Sequence, residues 1–261
     1  MTESWTKEYE LSEGNVSLSG WSFADESACK KYFLSRVKSK LLQGDLNTEL
    51  REYLIEMSRT GFDTSALQVQ IDIPPKAKDW EIGEAFAEVM LEDWFEASFP
   101  WQTSWDKRTP KASLPGPDLP GFQNKSLPRF LFGEIKSSSE KACPPQVVTK
   151  KDDGLQWQLY RLITSDERRL NLIGWLLVRI QQSPKWKPVF DEALKRYADD
   201  KAFICGVLVR GDTSPDPLDL AIVQEKLSME SSTFEVSLYV FHVPFSKPTW
   251  VELVYGKEVL N

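Results

Sequence analysis

The stretch RFLFGEIKSSS, from Arg129 to Ser139, begins as an apolar strand and ends with two opposite charges. Successive side chains of an extended chain point to opposite faces, so Glu134 and Lys136 share one face with Phe130 and Phe132. A Glu-x-Lys pair of this kind is common on a solvated strand that has no chemical role. The surrounding residues must therefore decide between a surface strand and a functional site.

Composition restricts the class of protein. The chain has 261 residues, of which 41% are hydrophobic, enough for a substantial core. No segment approaches the roughly 20 apolar residues of a membrane span, and the polar, acidic start MTESWTKEYE lacks the features of a secretory signal. We therefore expect a soluble, cytoplasmic protein without membrane contact. Cys29, Cys143 and Cys205 are far apart, which indicates neither a disulfide framework nor a zinc site.

Charge and motif content exclude several functions. A net charge of -7 argues against a protein that coats nucleic acid by charge alone. The single histidine, His242, lies in the apolar run SLYVFHVPF and is predicted to be a strand residue, so mechanisms that need several histidines are excluded. The chain also lacks a P-loop pattern and a Gly-x-Ser-x-Gly elbow. If the protein is an enzyme, its catalytic groups are therefore expected to be carboxylates and lysines.

The hydrophobic pattern predicts an α/β fold in which a mixed central sheet is flanked by helices. The predicted helices span residues 25–44, 45–61, 79–99, 154–163, 166–184 and 188–200. The predicted strands span 66–75, the stretch that leads into Glu134, 201–211 and 233–245, and residues 100–128 are predicted to form loop and short strand. The N-terminal quarter therefore reads as helical. We expect a helical N-terminal extension, 1–75, packed on a core domain, 76–261, with one continuous domain 1–261 as the alternative.

A second acid precedes the Glu-x-Lys pair. Asp118 lies in the turn-rich segment SLPGPDLPGF, 16 residues before Glu134. Adjacent antiparallel strands would bring the two carboxylates together. Two acidic oxygens, a backbone carbonyl and waters suit a hard divalent cation such as Mg²⁺. Such a cation polarises a phosphodiester and lowers the pKa of bound water, so histidine is dispensable.

The motif GPD followed by FGEIK resembles the PD-(D/E)xK nuclease superfamily. The resemblance covers the middle third of the chain and implies a restriction-endonuclease-like core that hydrolyses DNA. It implies that Asp118 and Glu134 ligate Mg²⁺, with Mn²⁺ as the expected substitute, and that the Ile135 carbonyl completes the metal site. Lys136 would orient the attacking water or stabilise developing charge.

Two flanking helices carry weaker similarities. The helix before the motif often supplies another acid in this superfamily, and Glu84 in IGEAFAEV is the candidate. Gln156 and Tyr160 are similar to the Gln-x-x-x-Tyr element of RecB-like and phage-exonuclease members, and their spacing places both on one helix face. A solvated face at Glu84 and an ordinary amphipathic helix at Gln156 are the alternatives.

The order of IGEAFAEVMLEDWF, GPDLPGF and FGEIKSS resembles more specifically the nuclease subunit of Hachiman-type anti-phage systems. This resemblance implies a bacterial defence effector that works with a helicase partner. A partner that binds and delivers DNA suits an acidic chain without an evident basic patch or motor.

Two other functions compete with this one. The first is a catalytically inactive nuclease-fold interaction module that tethers a partner protein, with Trp94, Trp101 and Trp105 as an aromatic anchor, although core packing is the more usual role of such residues. The second is a sequence-specific restriction enzyme, which needs clustered base-contacting residues that the chain does not show. The sequence does not decide whether the substrate is DNA or RNA, whether cleavage is endonucleolytic or exonucleolytic, or what the oligomeric state is.

Overall fold

The computed structural model describes residues 5–23, 25–43, 46–65, 77–101, 118–123, 126–181 and 183–256. In these ranges the chain forms a seven-stranded mixed sheet in the order β1-β2-β7-β6-β5-β4-β3, with helices on both faces. The strands are β1 (Trp5–Glu13), β2 (Val16–Phe23), β3 (Ala97–Ser98), β4 (Leu119–Gln123), β5 (Arg129–Ser138), β6 (Phe203–Gly211) and β7 (Glu235–Val243). The expected α/β class with a mixed central sheet is confirmed.

The helices alternate with these strands along the chain. They are α1 (Glu26–Tyr32), α2 (Lys38–Gln43), α3 (Leu46–Ser58), α4 (Asp79–Trp94), α5 (Gln146–Thr149), α6 (Leu155–Thr164), α7 (Asp166–Ile180), α8 (Lys187–Ala198), α9 (Ala221–Ser228) and α10 (Trp250–Tyr255). A π-helical turn, Phe33–Val37, joins α1 to α2, and single 3₁₀ turns precede α9 and α10. Among the described ranges, no helix has both the length and the apolar composition needed to cross a bilayer.

The centre of the sheet is parallel. Strands β5, β6 and β7 run in the same direction, and β2 adds a further parallel strand beside β7. Parallel strands covered on both faces read as continuous apolar runs, and every residue of β6, FICGVLVRG, is buried. The antiparallel strands lie toward the edges, with β1 against β2 and with β4 between β5 and β3.

Each face of the sheet has its own core. Phe130 and Phe132 of β5 pack with α6, α7, α8 and α9 on one face. Leu131 and Ile135 pack with α1, α4 and α10 on the other. The alternation expected for RFLFGEIK is therefore present, because neighbouring residues of β5 enter different cores. By this alternation Glu134 lies on the face that α6 to α9 cover.

The helical prediction for the N-terminal quarter is wrong for residues 5–23. These residues form the β1–β2 hairpin, whose two-residue turn contains Gly14 at φ +59°. Most of β1 is exposed, whereas Val16 and Leu18 of β2 are buried in the first core. The hairpin docks because β2 pairs in parallel with β7. Helices do follow the hairpin, as predicted, in α1, α2 and α3.

The other predicted elements fall into two groups. Helices α4, α6, α7 and α8 and strands β5, β6 and β7 lie at the predicted positions, although α4 ends before the short strand β3. The strand predicted at 66–75 lies outside the described residues, so it and the domain boundary after residue 75 stay predictions. Helices α5, α9 and α10 were not predicted.

Gly133 allows β5 to lie close to β6. A Cβ on Gly133 would lie 2.5 Å from the backbone oxygen of Cys205, which cannot move without displacing β6. Gly133→Ala should therefore lower the free energy of unfolding by about 1–3 kcal/mol, because the two central strands must separate. Urea denaturation of the wild type and the variant measures this change.

Gly174 provides the matched control for that substitution. It lies in α7, and an added Cβ meets nothing within 4 Å. Gly174→Ala should raise the stability by about 0.5–1 kcal/mol, because alanine has the higher helix propensity. Equal effects of the two substitutions would contradict the close contact at Gly133.

Candidate functional site

The register of β4 and β5 brings two acids together. Leu119 pairs with Gly133, so Asp118, which directly precedes β4, lies opposite Glu134. Asp118 Oδ2 accepts a hydrogen bond of 3.0 Å from the backbone N–H of Ile135. The turn acid is thus fixed against the strand that carries the second acid, as the hypothesis of a shared cation requires.

Lys136 lies beside the second acid. Its Nζ donates a hydrogen bond of 2.7 Å to Glu134 Oε1. The Glu134 side chain is only 5% exposed, and that of Lys136 is 21% exposed. The other oxygen, Glu134 Oε2, is buried and has no hydrogen-bond partner in the described part of the chain. An ionised carboxylate oxygen in such a position lacks the compensation that buried charge requires.

The electrostatics of the acids follow from this crowding. Burial raises the pKa of Glu134 to about 8, the negative charge of Asp118 adds to the increase, and the Lys136 ammonium opposes it. Burial also raises the pKa of Asp118, against the effects of Lys136 and of the Ile135 N–H. The two carboxyl groups titrate as an interacting pair that favours bound positive charge, whether a proton or a metal cation.

The backbone of Ile135 faces the same place. The N–H and C=O of one residue in a strand point to the same edge, and the Ile135 N–H points to Asp118. The Ile135 carbonyl therefore opens toward the end of β4, beside Asp118. Its side chain is buried in the opposite core and takes no part in the site.

The donor set fits a hard cation. Carboxylate oxygens and a backbone carbonyl are ligands that Mg²⁺ accepts, and one or two carboxylates suffice when water and substrate phosphate supply the remainder. The unpartnered Glu134 Oε2 is the oxygen that a cation would satisfy. Among the described residues, however, no group of three or more His, Cys, Asp or Glu side chains could hold a metal. Within the described ranges the site thus consists of two carboxylates.

The predicted additional acid, Glu84, lies half-buried on α4. One turn later, Glu88 forms an ion pair of 3.0 Å with the buried Lys40 of α2. Burial raises the pKa of Glu88, and the negative charges of Glu92 and Asp118 add to this against the effect of Lys40. Glu88 of α4 therefore has an electrostatic link to Asp118. A role for Glu84 stays a prediction.

The predicted Gln-x-x-x-Tyr element lies on α6. Gln156 is half-buried, and no hydrogen bond joins it to Asp118, Glu134 or Lys136 in the described part of the chain. The Tyr160 ring lies 5.7 Å from the ammonium of Lys226 on α9. This face of α6 is thus directed toward α9, and a role for Gln156 in the site stays a prediction.

Sequence reasoning missed two charged residues that act on the carboxylates. The charge of Asp153, directly before α6, raises the pKa of Asp118 among smaller causes, and the charge of Arg168, on α7, lowers that of Glu134. The sequence could have indicated Asp153 as a site residue. It directly precedes Gly154, the N-cap of α6, and a residue at the start of a helix lies near one end of the sheet. Nothing in the sequence indicated a role for Arg168 at the site, because DERRLNL is typical of an ordinary solvated helix start.

Two further expectations concern residues outside the site. His242 is a buried residue of β7, as predicted, and burial lowers its pKa to about 4. Trp94 is half-buried and packs against the second core. Trp101 is also half-buried, and Trp105 lies outside the described residues.

Comparison with known proteins adds no relative: no protein-family model matches the chain, and no curated protein matches it significantly. The functional interpretation therefore depends on the residues and their geometry.

Proposed function

We propose that the protein is a divalent-metal-dependent nuclease that hydrolyses phosphodiester bonds of DNA, with a site of the PD-(D/E)xK type. The observation that carries the proposal is the convergence of Asp118 and Glu134, with Glu134 Oε2 buried and unpartnered. Lys136 and the Ile135 N–H each compensate one oxygen of the pair, but burying two carboxylates together still costs stability, which a bound cation would offset. Mg²⁺ is the proposed cofactor, and Mn²⁺ is its expected substitute.

Each residue has a distinct role in this proposal. Asp118, Glu134 and the Ile135 carbonyl would hold Mg²⁺, which when bound polarises the phosphate and acidifies water. Burial lowers the pKa of Lys136, but the charges of Glu134 and Asp118 together raise it by more than burial lowers it. The pKa of Lys136 therefore lies above its ordinary value. Lys136 therefore stays an ammonium and cannot act as the base. It donates hydrogen bonds that orient the attacking water or stabilise the charge on the phosphate oxygens.

The biological setting is part of the same proposal. The resemblance to the nuclease subunit of Hachiman-type systems supports an effector role in anti-phage defence, and the net charge of -7 supports dependence on a partner that binds DNA. A helicase is the proposed partner. Cleavage assays of the protein alone and with the helicase partner proposed here, if one is encoded beside it, test the dependence, with plasmid, linear DNA and RNA as substrates.

Metal binding is the first measurable consequence. Asp118→Asn should weaken the binding of Mg²⁺ or Mn²⁺ by at least tenfold, because it replaces one of two anionic ligands by a neutral amide. Isothermal titration calorimetry of the two proteins measures the affinities. Glu13→Gln provides the control, because Glu13 is exposed on β1 at the opposite side of the sheet.

The competing function, an inactive interaction module, makes the opposite prediction. A scaffold needs no cation, so Asp118→Asn would leave the titration unchanged and DNA uncut. The half-burial of Trp94 against the core favours the nuclease, since a residue packed in this way offers little surface as an aromatic anchor. Divalent binding that Asp118→Asn does not affect would remove the nuclease proposal.

A further inference from the structure

A positively charged side chain, that of Arg168, lies on α7, which covers the sheet face that carries Glu134. Arg168, in the first turn of α7, is half-buried, and its Nη1 donates a hydrogen bond of 3.0 Å to Gln158 Oε1 on α6. Gln158 is itself fixed, because its Nε2 donates to the backbone oxygen of Asp152 at 3.3 Å. The guanidinium is thus held in one orientation by a neutral side chain.

Arg168 has no carboxylate within salt-bridge distance among the described residues. The neighbouring Arg169 differs, since it pairs with Asp166 of the same turn. Arg210, on β6, is also paired, with Asp219 at 3.0 Å. Arg161 is exposed on α6 three residues after Gln158, so it shares the helix face that holds Arg168. Burial and the positive charge of Arg161 lower the pKa of Arg168, and the charge of Glu134 raises it. An anion bound at this face would stabilise both guanidinium groups.

The position of Arg168 relative to the acids follows from the packing of α6. A Cβ at Gly206 of β6 would lie 2.5 Å from the Leu159 side chain, so α6 passes directly over this residue. Gly206 is the β6 partner of Glu134. Gln158 precedes Leu159, and the Arg168 that it holds is close enough for its charge to act on Glu134.

We propose that Arg168, positioned by Gln158 and assisted by Arg161, binds a backbone phosphate of the nucleic acid next to the phosphate that is cleaved. The planar fork of a guanidinium matches two phosphate oxygens, and a half-buried, oriented arginine loses less entropy on binding than a mobile lysine. This inference rests on the proposed nuclease function and deepens it, because it assigns the residue that places the substrate.

Binding of DNA without cleavage tests this role directly. Titration of a labelled oligonucleotide in EDTA, over a series of salt concentrations, gives Kd and its salt dependence for the wild type and Arg168→Gln. We expect Kd to rise about tenfold and the slope of log Kd against log salt to fall by about 0.7–0.9, the loss of one phosphate contact. Lys7→Gln removes the same charge from β1, which lies four strand spacings, about 19 Å, from the β5 strand of Glu134, and it should change neither quantity.

Steady-state cleavage provides the second readout. Arg168→Gln should raise KM with kcat changed less than twofold, whereas Glu134→Gln should abolish kcat. Arg168→Lys keeps the charge but loses the fork, so it should preserve the salt slope and still raise KM. It also serves as the test variant if Arg168→Gln does not fold, as judged by circular dichroism.

The failures of the two proposals can be told apart. If Arg168→Gln binds DNA with the Kd and salt slope of Lys7→Gln, Arg168 has only a structural role between α6 and α7, and the phosphate contact is overturned even when Glu134→Gln is inactive. If the wild type cleaves no nucleic acid with Mg²⁺ or Mn²⁺, the nuclease proposal fails, and if Glu134→Gln cleaves DNA like the wild type, the assignment of the metal site to Glu134 fails. In either case a reduced salt slope of Arg168→Gln in EDTA still supports the phosphate contact.

Discussion

Glu134→Gln should reduce Mg²⁺-dependent DNA cleavage by at least about three orders of magnitude in kcat, which corresponds to about 4 kcal/mol of transition-state stabilisation. Glutamine keeps the size of the side chain and can still accept the Lys136 hydrogen bond, so packing is preserved. It removes the negative charge whose second oxygen, Oε2, is unpartnered. Cleavage of plasmid and linear DNA, with the proposed helicase partner added if the protein alone is inactive, measures the loss.

Glu13→Gln is the matched control for this loss. Glu13 is exposed on β1, at the opposite side of the sheet from the site, and the substitution removes the same charge. It should cleave DNA at the rate of the wild type. A Glu134→Gln protein that is folded and as active as this control would mean that Glu134 holds no catalytic metal.

The second large effect concerns stability in the absence of metal. The folded-state pKa of Glu134 is raised from the ordinary value of 4.5 to about 8, so the folded protein binds more protons than the unfolded chain between these two values. The free energy of unfolding should therefore fall as pH rises from about 4.5 to 8. A shift of this size is worth on the order of 4 kcal/mol. Glu134→Gln cannot titrate at this position and should flatten the decline.

Urea denaturation in EDTA, repeated from pH 5 to about pH 8.5, measures this dependence. Mg²⁺ should raise the stability of the wild type more at pH 8 than at pH 6, because at lower pH protons compete for the same carboxylates. Glu13→Gln should follow the wild type at each pH. Parallel curves for the wild type and Glu134→Gln would show that Glu134 does not carry the raised pKa.

The elements that the sequence predicted are those with strong local patterns. The α6 and α7 segments have long apolar stripes, and β6 is apolar throughout, so one signal dominates in each. The pair Asp118 and Glu134 was also accessible, because a turn acid followed by an extended strand has few arrangements other than adjacent antiparallel strands.

The features that the sequence analysis did not predict are the β1–β2 hairpin and the position of Arg168. The β1 segment WTKEYELSE is mostly polar and exposed, so only its pairing with β2 stabilises it. The Gly14–Asn15 dipeptide between β1 and β2 was a usable hairpin signal. For Arg168 no local pattern exists, because its position depends on Gln158 of another helix. Pairings of this kind are set by tertiary packing.

The parallel pairing of β2 with β7 has a consequence for the order of folding during synthesis. Ser17 of β2 and Ser237 of β7 share a hydrogen bond across 220 positions of sequence. A ribosome takes roughly 10–40 s to cover that distance. During that time the apolar side chains of the β1–β2 hairpin have no partner strand to cover them, and an isolated two-stranded hairpin is only marginally stable in water. Chaperone binding and aggregation of nascent chains should therefore involve the β1–β2 hairpin before β7 is synthesised.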